Sequence, residues 1–157
     1  MKLPAYDAVI ASPIGKLGLR THEDYITDLA WLSTNQKLIS PTTSFAELIC
    51  NSITLYFESA IRLPCFPLQA QGTPFQRKVW TAMQKIPAGQ VQSYGQLAAR
   101  LKTGSRAIGM ACRTNPIIIL IPCHRVVSAQ GIGGFMGKAS RTNIKQWLLH
   151  HEGMHDY

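Results

Sequence analysis

The sequence predicts an α+β chain made of two small domains: a short antiparallel sheet with one helix, then a mainly helical half. Three observations carry this expectation. Three segments of strand character between turn residues follow one another at positions 6–32. From Thr42 onward the apolar spacing is that of helices. The charge also changes sign midway. Up to Gly72 there are five Lys/Arg and six Asp/Glu; after it there are eleven and two, so the second half holds all of the net +8.

Taken in order, Tyr6–Ala11 and Lys16–Thr21 flank a Ser-Pro-Ile-Gly turn, and Tyr25–Leu32 follows the polar His22-Glu23-Asp24. The three read as a meander. Thr42–Ala60 carries Phe45, Leu48, Ile49, Ile53, Tyr56 and Phe57 at helical spacing, enough to cover one face of that sheet. Leu63–Gly72, with Pro64 and Pro67, reads as a linker. The expected division is residues 1–68, a supporting domain without a cluster of catalytic groups, and 69–157. Thr73, Pro74 and Gln76 open the next helix as cap, first position and capping-box partner. Phe75, Val79, Met83 and Ile86 form its apolar stripe, and Pro87-Ala88-Gly89 ends it. Ser93 with Gln96 caps a short helix to Leu101, Gly104 turns the chain, and Ser105 is placed to cap a third helix to about Arg113. Two short helices about a tight turn form a helix-turn-helix pattern. Ile144, Trp147, Leu148 and His151 share a face of a last helix, with Gly153 as its C-cap.

Composition excludes several classes. With 46% hydrophobic and 15% charged residues among 157, the chain is globular rather than disordered. The N-terminus lacks a secretory pattern and no apolar run reaches membrane-spanning length, so no membrane partner is expected. Four cysteines without a CxxC pair suggest neither a metal knuckle nor a disulfide framework, and a reduced, cytoplasmic protein is the expectation. The basic second half suits a polyanion, nucleic acid above all, although a solvated basic surface is the alternative.

The stretch Pro122-Cys123-His124-Arg125-Val126 draws the chemistry together. It follows Ile117–Ile121, a β-branched apolar run between Pro116 and Pro122 that reads as a buried strand. His124 and Arg125 make an electropositive setting that would favour thiolate over thiol. An unperturbed cysteine is only roughly 3% thiolate at neutral pH, so such neighbours matter. A Cys-His pair alone is weak, because buried cysteine is usually a small hydrophobe. The third helix is slim, with Ala107, Gly109 and Ala111, and Arg106 and Arg113 lie seven residues apart on one side. A helix glycine costs about 1 kcal/mol relative to alanine. Close approach of a ligand, or of another helix, would explain it. Glu152, in the last turn, opposes the helix dipole and calls for a basic partner; His124 is the one expected.

The series Ser105–Pro116, Pro122–Val126, Gly131–Phe135 and Trp147–Gly153, in this order and spacing, resembles the O6-alkylguanine-DNA alkyltransferase family. The likeness is strong from Gly72 to Gly153. It is fainter earlier, resting on Ser12–Gly15 and Leu63-Pro64. The resemblance implies a ribonuclease H-like first domain and a winged-helix-like second one. It implies a monomer acting on double-stranded DNA that carries O6-alkylguanine or O4-alkylthymine, without cofactor or metal. Cys123 would take the alkyl group irreversibly from a base turned out of the duplex. His124, through a water, would remove the thiol proton, and Glu152 would fix the imidazole tautomer. Arg106 would fill the vacated stack, and Tyr94 would crowd the rotated phosphate and donate a hydrogen bond to the base. Thr73, Ala107, Gly109 and Arg113 would complete the DNA contacts, with the slim helix in the minor groove. Asn115 would be a hinge, and Met110, Pro122, Val126, Phe135 and Met136 would line the base pocket.

The sequence departs from the family pattern at Ile118, where a second proline is usual, at Phe135 for tyrosine, and at Lys138 for glycine. Lys138 is a candidate phosphate contact. Two rival readings exist: a non-catalytic damage sensor on the same scaffold, which would lack Cys123, and a cysteine hydrolase, which would not need the arginine-bearing helix.

Overall fold

In the computed structural model, residues 5–59, 62–135 and 142–157 are described. They form two compact units, Met1–Gln71 and Gly72–Tyr157. The architecture is mixed α and β.

In the first unit β1 (Ala8–Ile10), β2 (Lys16–His22) and β3 (Tyr25–Leu32) make an antiparallel sheet in sequence order. Ser12 and Gly15 exchange backbone hydrogen bonds across the first turn, at 3.0 and 3.1 Å. Leu17 pairs with Trp31 and Leu19 with Leu29, until a register shift between Arg20 and Thr21. Leu17, Leu19 and Leu29 are buried, as period-2 alternation requires of a half-covered sheet. Helix α1 (Ser44–Ser59) buries Ala46, Ile49, Cys50, Ile53, Tyr56 and Phe57, and packs along β1. Each large apolar side chain so buried contributes about 1.5–3 kcal/mol. Leu48, expected on that stripe, faces solvent with Leu55. Its position is a third of a turn off the line that Ile49 and Ile53 define.

The second unit opens with α2 (Pro74–Gln84), whose expected capping box is formed: Thr73 Oγ1 accepts from Gln76 N, and Gln76 Oε1 accepts from Thr73 N. Trp80 Nε1 donates to the Ala111 carbonyl at 2.8 Å and ties α2 to the helix at 105–113. A two-residue strand β4 (Gln92–Ser93) leads into α3 (Tyr94–Arg100), with its own Ser93–Gln96 box. After a turn comes α4 (Ser105–Arg113), packed against α3. Here the expectation for Ser105 fails. Gly104 occupies the cap and Ser105 is the first helical residue, with no side-chain cap bond.

Ile117, Ile118, Ile119 and Ile121 are buried, but the run is not a strand. Asn115 Oδ1 accepts from Ile117 N, Ile121 N donates to the Ile117 carbonyl at 2.9 Å, and Ile119 has φ +72°. The run curls into a tight turn between its two prolines, with an isolated bridge between Ile118 and Ile121 in place of an extended strand. β-branched composition reported burial correctly and conformation wrongly. A single 3-10 turn, Cys123–Arg125, follows, then β5 (Val126–Val127), which pairs parallel with β4. Helix α5 (Thr142–His151) closes the unit. Gly153 (φ +97°) donates to the His150 carbonyl and Met154 to that of Leu149, the double bond of a glycine C-cap. Among the described residues no helix is long and apolar enough to cross a membrane.

Candidate active site

The short parallel pair β4–β5 sets the site. Gln92 and Ser93 lie beside Val126 and Val127, so Tyr94, next after β4, is held near Cys123, three residues before β5. The tight 117–121 turn delivers Cys123 from the other side. Asn115 Nδ2 donates to the Ile121 carbonyl at 2.8 Å and to Cys123 Sγ at 3.2 Å. One buried amide therefore fixes the turn's exit and touches the sulfur.

Cys123 is 2% exposed. It lies on the wall of an open cavity of about 360 Å³, with Tyr94, Arg106, Gly109, Met110, Cys112, Arg113, Gly134 and Phe135. Pro122 and Val126, expected in that wall, are buried and lie outside the lining. Val126 instead faces the core and offers its carbonyl to Lys145. Cys112, expected to be a packing residue, is in the wall, and Cys65, also expected to pack, is exposed. Met136 and Lys138 lie outside the described residues.

Behind the sulfur, His124 is fully buried, with Nε2 3.0 Å from Glu152 Oε2. Arg125 Nε and Nη2 hold the same carboxylate at 2.9 and 2.8 Å, while Nη1 donates to the Ile86 carbonyl beyond the end of α2. Burial pushes the Glu152 carboxyl up, but His124 and Arg125 outweigh it and leave it well below the usual range. Burial lowers His124; Glu152 opposes this, and Arg125 and Lys145 add to it. The pair is thus a neutral imidazole and an ionised carboxylate. A carboxylate only accepts, so Nε2 carries the proton and Nδ1 keeps a lone pair. Nδ1 is buried and has no partner among the described residues.

The thiolate expected from the His124-Arg125 neighbourhood is not what the site favours. Burial raises the Cys123 thiol to about 11, against the Asn115 hydrogen bond and the Lys145 charge. The guanidinium of Arg125 is engaged by Glu152 rather than by sulfur. The cation that acts on the thiol is Lys145, whose signal in the sequence went unread. It stands in register with Leu148 and Leu149 on the buried stripe of α5. Its Nζ donates to the carbonyls of Val126 at 2.6 Å and Gly134 at 2.9 Å, and lies 5.6 Å from the centre of the Tyr94 ring. Burial lowers Lys145 to about 8, opposed by Cys112 and Cys123. Burial also raises the Tyr94 hydroxyl, helped by Cys112 and Cys123, so it remains a donor. Gly133 (φ +74°) lets the loop pass close: a Cβ there would stand 3.2 Å from Ser128 N and 3.3 Å from the Tyr94 ring.

On α4, Arg106 and Arg113 are exposed and Ala107 half-buried. A Cβ on Gly109 would meet nothing within 4 Å among the described residues, so packing among them does not account for this glycine. Thr73 is exposed at the start of α2, outside the cavity lining. Among the described residues no three His, Cys, Asp or Glu side chains gather as a metal site.

The sequence pattern of the 6-O-methylguanine DNA methyltransferase DNA-binding domain matches residues 74–154. A methylated-DNA–protein-cysteine methyltransferase of Methanosarcina acetivorans is 34% identical over 155 residues, covering 94% of this chain and 98% of the relative. The crystal structure of a Mycobacterium tuberculosis O6-methylguanine methyltransferase superposes with a TM-score of 0.79 at 32% identity, covering 95% of this chain and 93% of that one. The structure of Mycobacterium tuberculosis OGT in complex with DNA gives 0.78 at 35% identity, covering 92% and 90%. With a pattern match that takes in every element of the cavity and likeness over nearly the whole length, the chain belongs to the methylated-DNA–protein-cysteine methyltransferase family.

Proposed function

We propose that this chain repairs DNA directly, moving a methyl or other alkyl group from O6 of guanine, and from O4 of thymine, to Cys123 in a single turnover. The observation that carries the reading is a cysteine sulfur on the wall of a cavity, held by a buried amide and backed by a His-Glu pair. The O6 oxygen lies within the stack, so the damaged nucleotide must leave the duplex, at a cost of a few kcal/mol. Arg106 enters the gap. Arg113, Ala107, Gly109 and Thr73 meet the backbone and groove. Tyr94, Met110 and Phe135 bound the everted base.

The sulfur attacks the alkyl carbon in line, forming S–C as C–O breaks. The thiol proton moves towards Nδ1 of His124, by way of a water as the family resemblance implies. Tyr94 donates a hydrogen bond to the departing base, which takes up a proton from solvent as His124 gives its own back, and the products are an unmodified base and an S-alkylcysteine. Water does not cleave a thioether, so the protein is spent. Glu152 holds the Nε2 tautomer, and Arg125 holds Glu152. Asn115 is the hinge between α4 and the sulfur. No step calls for a metal or cofactor. The first unit, a meander covered by one helix, is read as ribonuclease H-like. The second, a helix-turn-helix followed by the β4–β5 pair, is read as winged-helix-like, and the protein is read as a monomer.

The test is direct. After incubation with a duplex carrying one O6-methylguanine, peptide mapping should find methyl on Cys123, at no more than one per protein. A Cys123→Ala protein that still clears the lesion would overturn the mechanism. Release of methyl with multiple turnovers would favour hydrolysis.

A further inference from the structure

Helix α4 carries one feature that alkyl transfer does not require. Arg106, Met110 and Arg113 follow at i, i+4 and i+7, so they share one stripe of the helix. Arg106 and Arg113 are exposed, and Met110 between them is 55% exposed, an apolar side chain standing in water. All three belong to the cavity lining, so the stripe runs along its mouth. The neighbouring Ala107 and the open Gly109 keep the rest of this surface low, and Met110 projects above it. No acidic residue lies on α4, and residues 73–157 carry eleven Lys/Arg against two Asp/Glu.

We propose that Met110 is an apolar wedge for duplex DNA, packing against the bases beside the position that Arg106 enters. This rests on the alkyl-transfer reading and deepens it by naming a second contact of the same surface with the duplex. Charge complementarity selects the occupant. A stripe flanked by two arginines faces a polyanion, and the only part of a polyanionic duplex that suits a thioether is its base stack. Apolar side chains placed between base steps are a recurrent device of DNA-bending proteins. Methionine fits the task because its unbranched chain adapts to whichever step it meets. A wall residue serving only to enclose the alkyl group would instead be turned inward and covered.

The wedge adds affinity without adding charge, which makes it separable from the arginines. In full-length Cys123→Ala protein, which cannot consume the lesion, binding to a duplex with O6-methylguanine is followed by fluorescence anisotropy over a range of salt. Adding Met110→Ala should raise Kd about 5- to 10-fold, the worth of burying the exposed half of the side chain. Adding Met110→Leu should restore binding to within about 2-fold, since the leucine side chain still carries apolar area to bury. The slope of log K against log salt should not move, whereas Arg113→Ala should make it shallower by about one. Binding by Met110→Ala within 2-fold of its parent, no rescue by leucine, or a changed salt slope would each overturn the wedge. Methyl transfer by the native chain is measured alongside. If it fails, the alkyl-transfer reading falls; if it stands and the Met110 series is flat, only the wedge falls.

Discussion

Replacing Asn115 by alanine removes three hydrogen bonds at one point of the chain. Its Nδ2 serves the Ile121 carbonyl and Cys123 Sγ, and its Oδ1 serves Ile117 N. Asn115 is 5% exposed and the flanking Ile117 and Ile121 are fully buried, so water reaches the released groups poorly. A buried polar group left unpaired costs about 1–3 kcal/mol. Two backbone groups are stranded, which gives a loss of about 2–6 kcal/mol for Asn115→Ala. The turn they close also holds Ile119 at φ +72°, a conformation β-branched residues avoid, so its geometry depends on those bonds. Asn115→Asp separates stability from chemistry. It keeps the acceptor for Ile117 N but puts negative charge, not a donor, against the sulfur. Urea unfolding reads the first effect, and the pH dependence of Cys123 labelling by a small thiol reagent reads the second. Asn115→Ala should be destabilised and labelled only at higher pH. Asn115→Asp should recover part of the stability and push labelling higher still. A loss below about 1 kcal/mol for Asn115→Ala, smaller than the cost of a single stranded group, would refute the argument that one amide holds both turn and sulfur.

Glu152→Gln leaves the contact with His124 but no longer holds one tautomer by charge, and should slow single-turnover methyl transfer about 10- to 100-fold in rapid-quench assays. In the native chain, labelling of Cys123 should keep rising to about pH 11 instead of levelling near the value of a free thiol, as burial of the sulfur dictates. Lys145→Met strands the Val126 and Gly134 carbonyls, at about 1–3 kcal/mol each on unfolding, and removes the cation that draws Cys123 down, so labelling should shift to higher pH. Acid should unfold the protein in two stages. His124 and Glu152 are both depressed in the folded state, so each contributes stability that is complete above its unfolded pKa and lost as pH falls, beginning near pH 6.5 for the histidine and near 4.3 for the carboxylate. Glu152→Gln should remove the lower stage from a pH series of urea midpoints.

Most of what the sequence disclosed is local, and the contact of His124 with Glu152, 28 residues on, is the long-range exception. The Thr73 and Ser93 boxes, the glycine cap at Gly153 and the meander turn each depend on residues within four positions, and each formed as expected. Ile117–Ile121 misled because β-branched residues register burial, while the backbone path was set by an asparagine two positions earlier. Arg125 was read as a neighbour of Cys123 when its partner lies 27 residues on, just past the end of α5. Adjacency in the chain said nothing about direction. Lys145 did leave a trace, a lysine in register with Leu148 and Leu149, but a charged residue on an apolar stripe has meaning only once its acceptors are known.

The charges of the site make sense together as a way of withholding the nucleophile. Burial holds the Cys123 thiol at about 11, so at neutral pH the sulfur is protonated more completely than that of a free cysteine. A protein whose sulfur can be used once loses its function to any adventitious electrophile, so poor intrinsic reactivity protects it. The groups that lower the barrier stand apart from the sulfur's resting state. Glu152 holds a neutral His124 with a free lone pair, Tyr94 is a protonated donor, and Lys145 binds the loop that carries Gly134 on the cavity wall. In the proposed reaction they act together only when a base occupies the cavity, because only then does a leaving group develop charge for Tyr94 to receive and a carbon stand in line with the sulfur. Selectivity is then a property of the filled cavity rather than of the cysteine.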